Sequence, residues 1–221
     1  MKHIKLFENF EVVEPIKYGD PLNNKEINFL KGYNIMCPEF ILKDDNYYYV
    51  HDHRCENIKD VPLTYIHGVC SKYDIKKYII NHDLSIDVDG GVSFTVKGLT
   101  KIPLMFNKVY GDFSCSLNKL TTLEGSPKSV GGNFLCGYNN LTTLLGSPKK
   151  VYGDFSCNHN KLTTLLGSPK RVRGNFYCSY NNLTTLEGGP EYIGRDLLCS
   201  NNPLVSFEYK GIIKGKLIYN Q

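Results

Sequence analysis

No stretch of this 221-residue chain approaches the ~20 consecutive apolar residues that a membrane-crossing helix needs. The opening residues, M-K-H-I-K-L-F-E-N-F, scatter charge among their apolar positions and hold no apolar core of about 7–15 residues. They are therefore expected not to be a secretion signal. Paired C-x-x-C motifs are missing, which removes the strongest sequence sign of a structural zinc site. Gly90-Gly91 has no phosphate-loop surroundings, and no Ser/His/Asp or paired-carboxylate set can be read. The expectation is a chain that is not an enzyme and carries no cofactor. Strong charge of one sign is also lacking: a net +4 favours neither nucleic acid nor membrane, and neither is expected as a partner. Eight cysteines could suggest a disulfide scaffold, but five fall in one periodic column. Without an export signal, reduced thiols and a cytoplasmic location are expected. For the same reason the triplets Asn140-Leu-Thr and Asn182-Leu-Thr carry little weight as glycosylation sites.

What the chain does have is one phrase repeated. Residues 111–131 read G-D-F-S-C-S-L-N-K-L-T-T-L-E-G-S-P-K-S-V-G, and the phrase returns at Gly132, Gly153 and Gly174. A further copy from Arg195 fades after Leu204. Cys115, Cys136, Cys157, Cys178 and Cys199 set a 21-residue period, kept by Asn118, Asn139, Asn160, Asn181 and Asn202. A strict period in this range predicts a solenoid. Within a copy, x-Phe-x-Cys-x alternates like a strand, with Phe113 and Cys115 pointing in and Asp112, Ser114 and Ser116 pointing out. Leu120 and Leu123 belong to an irregular return path, Gly125-Ser126-Pro127 turns the chain, and Val130 adds a last inward residue. No single coil can bury its own apolar face, so stability must come from stacking. The cysteine column reads as small buried hydrophobes with parallel Cβ vectors, poorly placed for disulfides.

The spacing Phe113-x-Cys115-x-x-Asn118-x-Leu120-x-x-Leu123 resembles the leucine-rich repeat L-x-L-x-x-N-x-L-x-x-L, with Phe and Cys in the first two apolar slots. The likeness covers about residues 92–207. The short repeat and the proline after the second leucine look like the compact class in secreted bacterial effectors. Gly-Ser-Pro in place of a leucine-proline pair, a slightly longer period and no C-terminal catalytic domain depart from that class. The G-D-F-x-C wording is similar to repeats in proteins of large bacteriophages. The resemblance implies a parallel β-sheet on the concave side, an irregular convex side, and an asparagine ladder bonding backbone groups between coils. The fold class expected is thus a leucine-rich-repeat solenoid with a small α+β N-terminal cap domain.

Domain bounds follow from the period. Residues 1–83 lack it and read as the cap; residues 84–221 read as the solenoid. The latter begins with a degenerate coil at 90–110, continues as regular repeats at 111–131, 132–152, 153–173 and 174–194, and closes with a terminal coil at 195–221. In the cap, Glu26–Lys31 reads as a short helix, Tyr33–Leu42 and Tyr47–Cys55 as strands around a turn, and Ser71 to Asn81 as a capped helix.

Outward strand positions form the candidate site. One column is Asp112, Asn133, Asp154, Asn175 and Asp196; a second is Ser114, Leu135, Ser156, Tyr177 and Leu198; a third is Leu117, Tyr138, His159 and Tyr180. Tyrosines and leucines among small polar residues suit a protein partner. A second ridge, Lys128, Lys149, Lys150, Lys170, Arg171 and Arg173, is a stack of like charges that could meet phosphates, but Glu191 breaks it in the last full copy and it reads as a solvated basic face. His51, His53 and Cys55 alternate on one strand face, and with His67, Cys70 and Cys37 they are the zinc candidates weighed against ordinary packing. Asp87-Val-Asp89-Gly90 begins like a calcium loop, but Val96 stands where the bidentate Glu should be. The expected function is a non-enzymatic protein-binding module, phage-encoded and acting on a host or viral protein. The alternatives are a structural component of a virus particle, or an N-terminal domain with a zinc site or activity targeted by the repeats.

Overall fold

The computed structural model describes residues 40–43, 46–49 and 61–220. The chain divides into two units, Met1–Ile66 and His67–Gln221. In the first, strands β1 (Phe40–Lys43) and β2 (Asn46–Tyr49) pair antiparallel with Phe40 opposite Tyr49 and Lys43 opposite Asn46. The expected strands Tyr33–Leu42 and Tyr47–Cys55 overlap this pair at residues 40–42 and 47–49, and the rest of both lies outside the described residues. The short helix expected at Glu26–Lys31, and the zinc candidates Cys37, His51, His53 and Cys55, lie outside the described residues.

Helix α1 (Val61–Lys72) ends just before Asp74 and Lys77, which take left-handed φ values of 54° and 50°. The sequence reading places a helix from Ser71 to Asn81; the structure makes Tyr78–Ile80 strand β3 instead. Ile79 and Ile80 are β-branched and suit a pleated strand better than a helix. The turn behind them closes when the Asn81 N–H donates to the Ser85 carbonyl at 2.7 Å, and β3 pairs antiparallel with β4 (Ile86–Val88).

From β4 onward every coil contributes two very short strands. One series is β6 (Phe106–Val109), β8 (Ser129–Val130), β10 (Lys150–Val151), β12 (Arg171–Val172), β14 (Tyr192–Ile193) and β16 (Ile212–Ile213). It continues the β3–β4 pair into an eight-stranded sheet, parallel beyond β4. The other series is β5 (Val92–Ser93), β7 (Phe113–Ser114), β9 (Phe134–Leu135), β11 (Phe155–Ser156), β13 (Phe176–Tyr177), β15 (Leu197–Leu198) and β17 (Leu217–Ile218), a seven-stranded parallel sheet. Stacked coils with parallel sheets make a β-solenoid, as the period requires. The return path is more regular than the sequence reading had it. Residues just ahead of each valine pair in register with the coil before, so that Lys150 lies between Ser129 and Arg171. An unchanging period brings equivalent backbone groups opposite one another on that side too, and unpaired N–H and C=O groups favour pairing. The third side of each coil carries no strand.

The core is a set of single-residue columns. Phe113, Phe134, Phe155 and Phe176 are fully buried and stack face to face, centroids 5.1–5.4 Å apart. That spacing is close to the ~4.8 Å separation of neighbouring strands, as parallel stacking dictates. Cys115 to Cys199, Leu120 to Leu183, Leu123 to Leu186 and Val130 to Ile193 fill the remaining columns, each residue 0–1% exposed. At the N-terminal end Phe94 meets Tyr73 edge-on at 4.9 Å, where the 21-residue stacking gives way to mixed packing. At the other end Leu217 and Ile218 extend the second sheet with a 20-residue step from Leu197 and Leu198.

Candidate functional site

Two ladders of side-chain amides and carboxylates decide which columns are left open. In the first, the Leu120 N–H donates to Asn139 Oδ1 at 2.9 Å, while Asn139 Nδ2 donates to the Cys115 and Cys136 carbonyls at 3.0 and 3.1 Å. Asn160, Asn181 and Asn202 repeat the pattern one coil further each time. Asn118 accepts from the N–H groups of both Lys97 and Leu99 at 3.0 Å. Each amide thus joins two coils at a turn whose backbone would otherwise be buried unpaired.

The second ladder uses a column read from the sequence as ligand-facing. Asp112 Oδ1 accepts from the Asn133 N–H at 2.6 Å, Asn133 Oδ1 from Asp154 at 2.7 Å, and Asp154 Oδ1 from Asn175 at 2.7 Å. Asn175 and Asp196 continue it. Each side chain folds over the backbone of the following coil, where a Cβ on Gly132, Gly153 or Gly174 would collide with it. Glycine is required there by close approach. Arg195 breaks the glycine column, and at that step the bonds lengthen. Its N–H lies 3.2 Å from the Gly174 carbonyl, against 2.9 Å for Gly174 on Gly153. The Asp196 N–H lies 3.1 Å from Asn175 Oδ1.

Ser114, Leu135, Ser156, Tyr177 and Leu198 have no such duty along the backbone ladder and are all half-buried on the outside of the seven-stranded sheet. Asn175 Nδ2 donates to the Tyr177 hydroxyl at 3.0 Å, joining the two columns at one point. Beside them stands an exposed ridge: Leu117 at 49%, Tyr138 at 52% and Tyr180 at 51%, with half-buried His159 between the tyrosines. The His159 ring stacks on Tyr138 and Tyr180 with centroids 4.1 Å apart on each side and planes within 15° and 10°. All four residues adopt left-handed backbone angles, φ 55–58°. The rings cover one another's faces and leave phenol and imidazole edges to solvent. Sequence reasoning placed these residues together but missed the backbone twist that aims them. The available sign was Asn201, a residue type that tolerates this conformation, standing in the same column at φ 56°.

The cysteines are free thiols in the dry interior. Burial pushes Cys115 up to about 12 and Cys199 to about 11, and raises Cys136, Cys157 and Cys178 as well. Cys136 and Cys157 each aim Sγ at a carbonyl of the following coil, 3.3 Å away. Of the zinc candidates, His67 and Cys70 both reach the Tyr78 hydroxyl. His67 Nδ1 lies 2.5 Å from it, and burial, opposed by the Tyr78 hydrogen bond, pushes the Cys70 thiol to about 11. Tyr78 rises to about 12 by burial and the nearness of Cys70. Asp87 accepts from Asn81 Nδ2 at 3.1 Å and Asn107 Nδ2 at 2.7 Å, so that carboxylate ties coils together. Among the described residues no three His, Cys, Asp or Glu side chains gather as a metal site, and no helix is long and apolar enough to cross a membrane.

By fold the second unit, His67–Gln221, is a two-sheet β-solenoid, parallel beyond β4, whose outward columns divide into laddered and open ones. No family model matches the chain, and neither the curated proteins nor the solved structures give a match.

Proposed function

We propose that this chain is a non-enzymatic binding module that recognises a protein through the outer face of its seven-stranded sheet. The single observation that carries the reading is the stacked Tyr138–His159–Tyr180 ridge, exposed on both tyrosines and flanked by Leu117, Leu135, Tyr177 and Leu198. The His159 ring is held at 4.1 Å from both sides and each tyrosine stacks on it from one, so the three have less rotamer freedom to lose on docking than free side chains. Aromatic and leucine side chains supply the contact area, and hydroxyl and imidazole edges supply directional hydrogen bonds. We read the coils as leucine-rich repeats; the supports are the asparagine ladder and the paired buried leucines, Leu120 with Leu123 and their equivalents. A phage-encoded protein acting on a host or viral partner in the host cytoplasm fits the G-D-F-x-C repeat wording.

The test is affinity capture from the native cell with the full chain, followed by calorimetry with each purified partner. The double variant Tyr138→Ser/Tyr180→Ser should weaken the specific partner by roughly tenfold or more, as loss of aromatic anchors does. A variant that holds every partner as tightly as the parent overturns this face.

A further inference from the structure

The eight-stranded sheet has an outer face of its own, and its chemistry differs from that of the first. Lys150 and Arg171 point outward from adjacent strands, with Lys128, Lys149 and Lys170 one residue ahead of β8, β10 and β12 and Arg173 one residue behind β12. All six are exposed. Lys149 and Lys170 are tied into the stack by backbone bonds of 3.0 Å from each N–H to the preceding lysine's carbonyl, so their order along the axis is fixed. Among the described residues one of the six has a carboxylate partner: Lys170 meets Glu191 at 3.3 Å, with both side chains about two-thirds exposed. Such a pair contributes little and leaves the lysine available. Lys128 also lies near enough to Asp83 to help lower that carboxyl, behind the Ser85 hydrogen bond that lowers it most.

We propose that this face docks the phosphate backbone of duplex nucleic acid. The argument is one of charge density. Three successive coils at ~4.8 Å per coil occupy roughly 14 Å, which places one cation about every 2.4 Å along the axis. A duplex carries one phosphate charge per ~1.7 Å of axis and a single strand within it one per ~3.4 Å. Six cations over that length exceed what one strand could neutralise and suit two. The two arginines add a second reason. The Arg171 guanidinium lies over Tyr192 and that of Arg173 over Tyr152, each 4.5 Å from the ring centroid. Stacking pins the guanidinium planes and leaves N–H edges for phosphate oxygens. It also covers tyrosine faces that a single strand would need as base-stacking platforms. Recognition is therefore of the backbone, without base reading.

The experiment is fluorescence anisotropy of a labelled duplex of roughly 20 base pairs with the full chain, at salt from about 50 to 200 mM. The expected slope of log K against log salt is about −4 to −5, for about five phosphates engaged. The variant Lys150→Ser/Arg171→Ser copies the native Ser129 of the same column, so the fold already accommodates it. It should flatten the slope by about 2 and weaken binding tenfold or more at low salt. Should it melt early, Lys149→Gln/Lys170→Gln, both outside the strands, carries the same test. Tyr138→Ser/Tyr180→Ser should leave duplex binding unchanged, which separates this face from the protein-binding one. Absence of salt-dependent binding, variants as tight as the parent, or retention on phosphatidylserine vesicles without binding to the duplex would each overturn the proposal.

Discussion

Asn181 and Asn182 are adjacent and chemically identical, yet replacing each with alanine should have very different consequences. Asn181 is 6% exposed, accepts from the Leu162 N–H at 3.1 Å, and donates to the Cys157 and Cys178 carbonyls at 3.1 Å each. With Asn181→Ala the Leu162 N–H is orphaned in a dry interior, a loss of about 1–3 kcal/mol. The two carbonyls fare better. Cys157 O keeps Asn160 Nδ2 at 3.1 Å and Cys178 O keeps Asn202 Nδ2 at 3.0 Å. Those bonds therefore count only at their net worth of about 0.5–1.5 kcal/mol each. The total is about 2–6 kcal/mol, whereas exposed Asn182 should fall within about 0.5 kcal/mol of the parent. Urea unfolding followed by circular dichroism measures both, with the m-value unchanged if the native coil is intact. A cost below about 1 kcal/mol for Asn181→Ala, or equal costs for the pair, would refute the ladder as a stabilising device. Asn181→Asp sharpens the test. It keeps the acceptor for Leu162 but aims an anionic oxygen at carbonyls that want a donor, so its folded pKa must rise above the unfolded ~3.9. The destabilisation is then largest at neutral pH and shrinks as pH falls from the raised folded value towards ~4, because the protonated acid is the form that fits.

Three further outcomes follow from the same packing. At pH 8 a thiol-exchange reagent should label at most two of the eight cysteines in the native protein, Cys37 and Cys55, because burial holds Cys70, Cys199 and Cys115 at about 11 to 12 and raises the rest. Rapid labelling of a third thiol without denaturant contradicts the buried column. Gly174→Ala drives a methyl into the Asp154 carboxylate and the Gly153 backbone, and should destabilise by about 1–3 kcal/mol in the same urea assay. A change under about 0.5 kcal/mol means that the coils do not approach so closely. Phe155→Ala should cost about 3–5 kcal/mol, but Phe155→Leu less than about 1.5, since Leu197 already fills that column. Equal losses for the two would show that the stacked rings matter for more than volume.

The coil and its core were legible because a 21-residue period leaves few ways to stack, and the inward residues Phe113, Cys115, Leu120, Leu123 and Val130 announce themselves as apolar columns. The second sheet was not. Its strands are two residues long, and pairs such as Ser129–Val130 and Lys150–Val151 carry no alternation from which a strand could be read. They exist because equal coils bring equivalent backbones into line, a property of the stack and not of the segment. The β3 strand was missed for the opposite reason. Ser71-Lys-Tyr-Asp looks like a helix start, but the left-handed turns at Asp74 and Lys77 and pairing with β4 override that local sign. The candidate face was legible as columns; which column was committed to backbone bonding was not. Asp and Asn at outward positions look the same whether they await a ligand or fold over the following coil.

That distinction has its own signature within the repeats, once the ladders are known. A column whose side chain bonds backbone admits only residues that keep the bonding atom. The Asn118 to Asn202 column never varies, and the Asp112 to Asp196 column alternates between Asp and Asn, the two residues that share an acceptor at Oδ1. The alternation also keeps its three carboxylates two coils, or ~10 Å, apart, near a Debye length at physiological salt, so they repel weakly. Columns without a backbone duty drift freely: Ser, Leu, Ser, Tyr, Leu in one; Leu, Tyr, His, Tyr, Asn in another; Ser, Lys, Arg, Tyr across β8 to β14. The chain thus contains its own substitution series, each coil a variant of its neighbours in an unchanged frame. Residues that hold the stack are marked by sameness, and those free to recognise something are marked by difference. The protein-binding face and the Lys150–Arg171 column of the basic face are of the second kind, while Lys128, Lys149 and Lys170 keep one residue over three coils. Substitutions drawn from within the chain, such as Lys150→Ser, can change one face while leaving the ladders that carry it untouched.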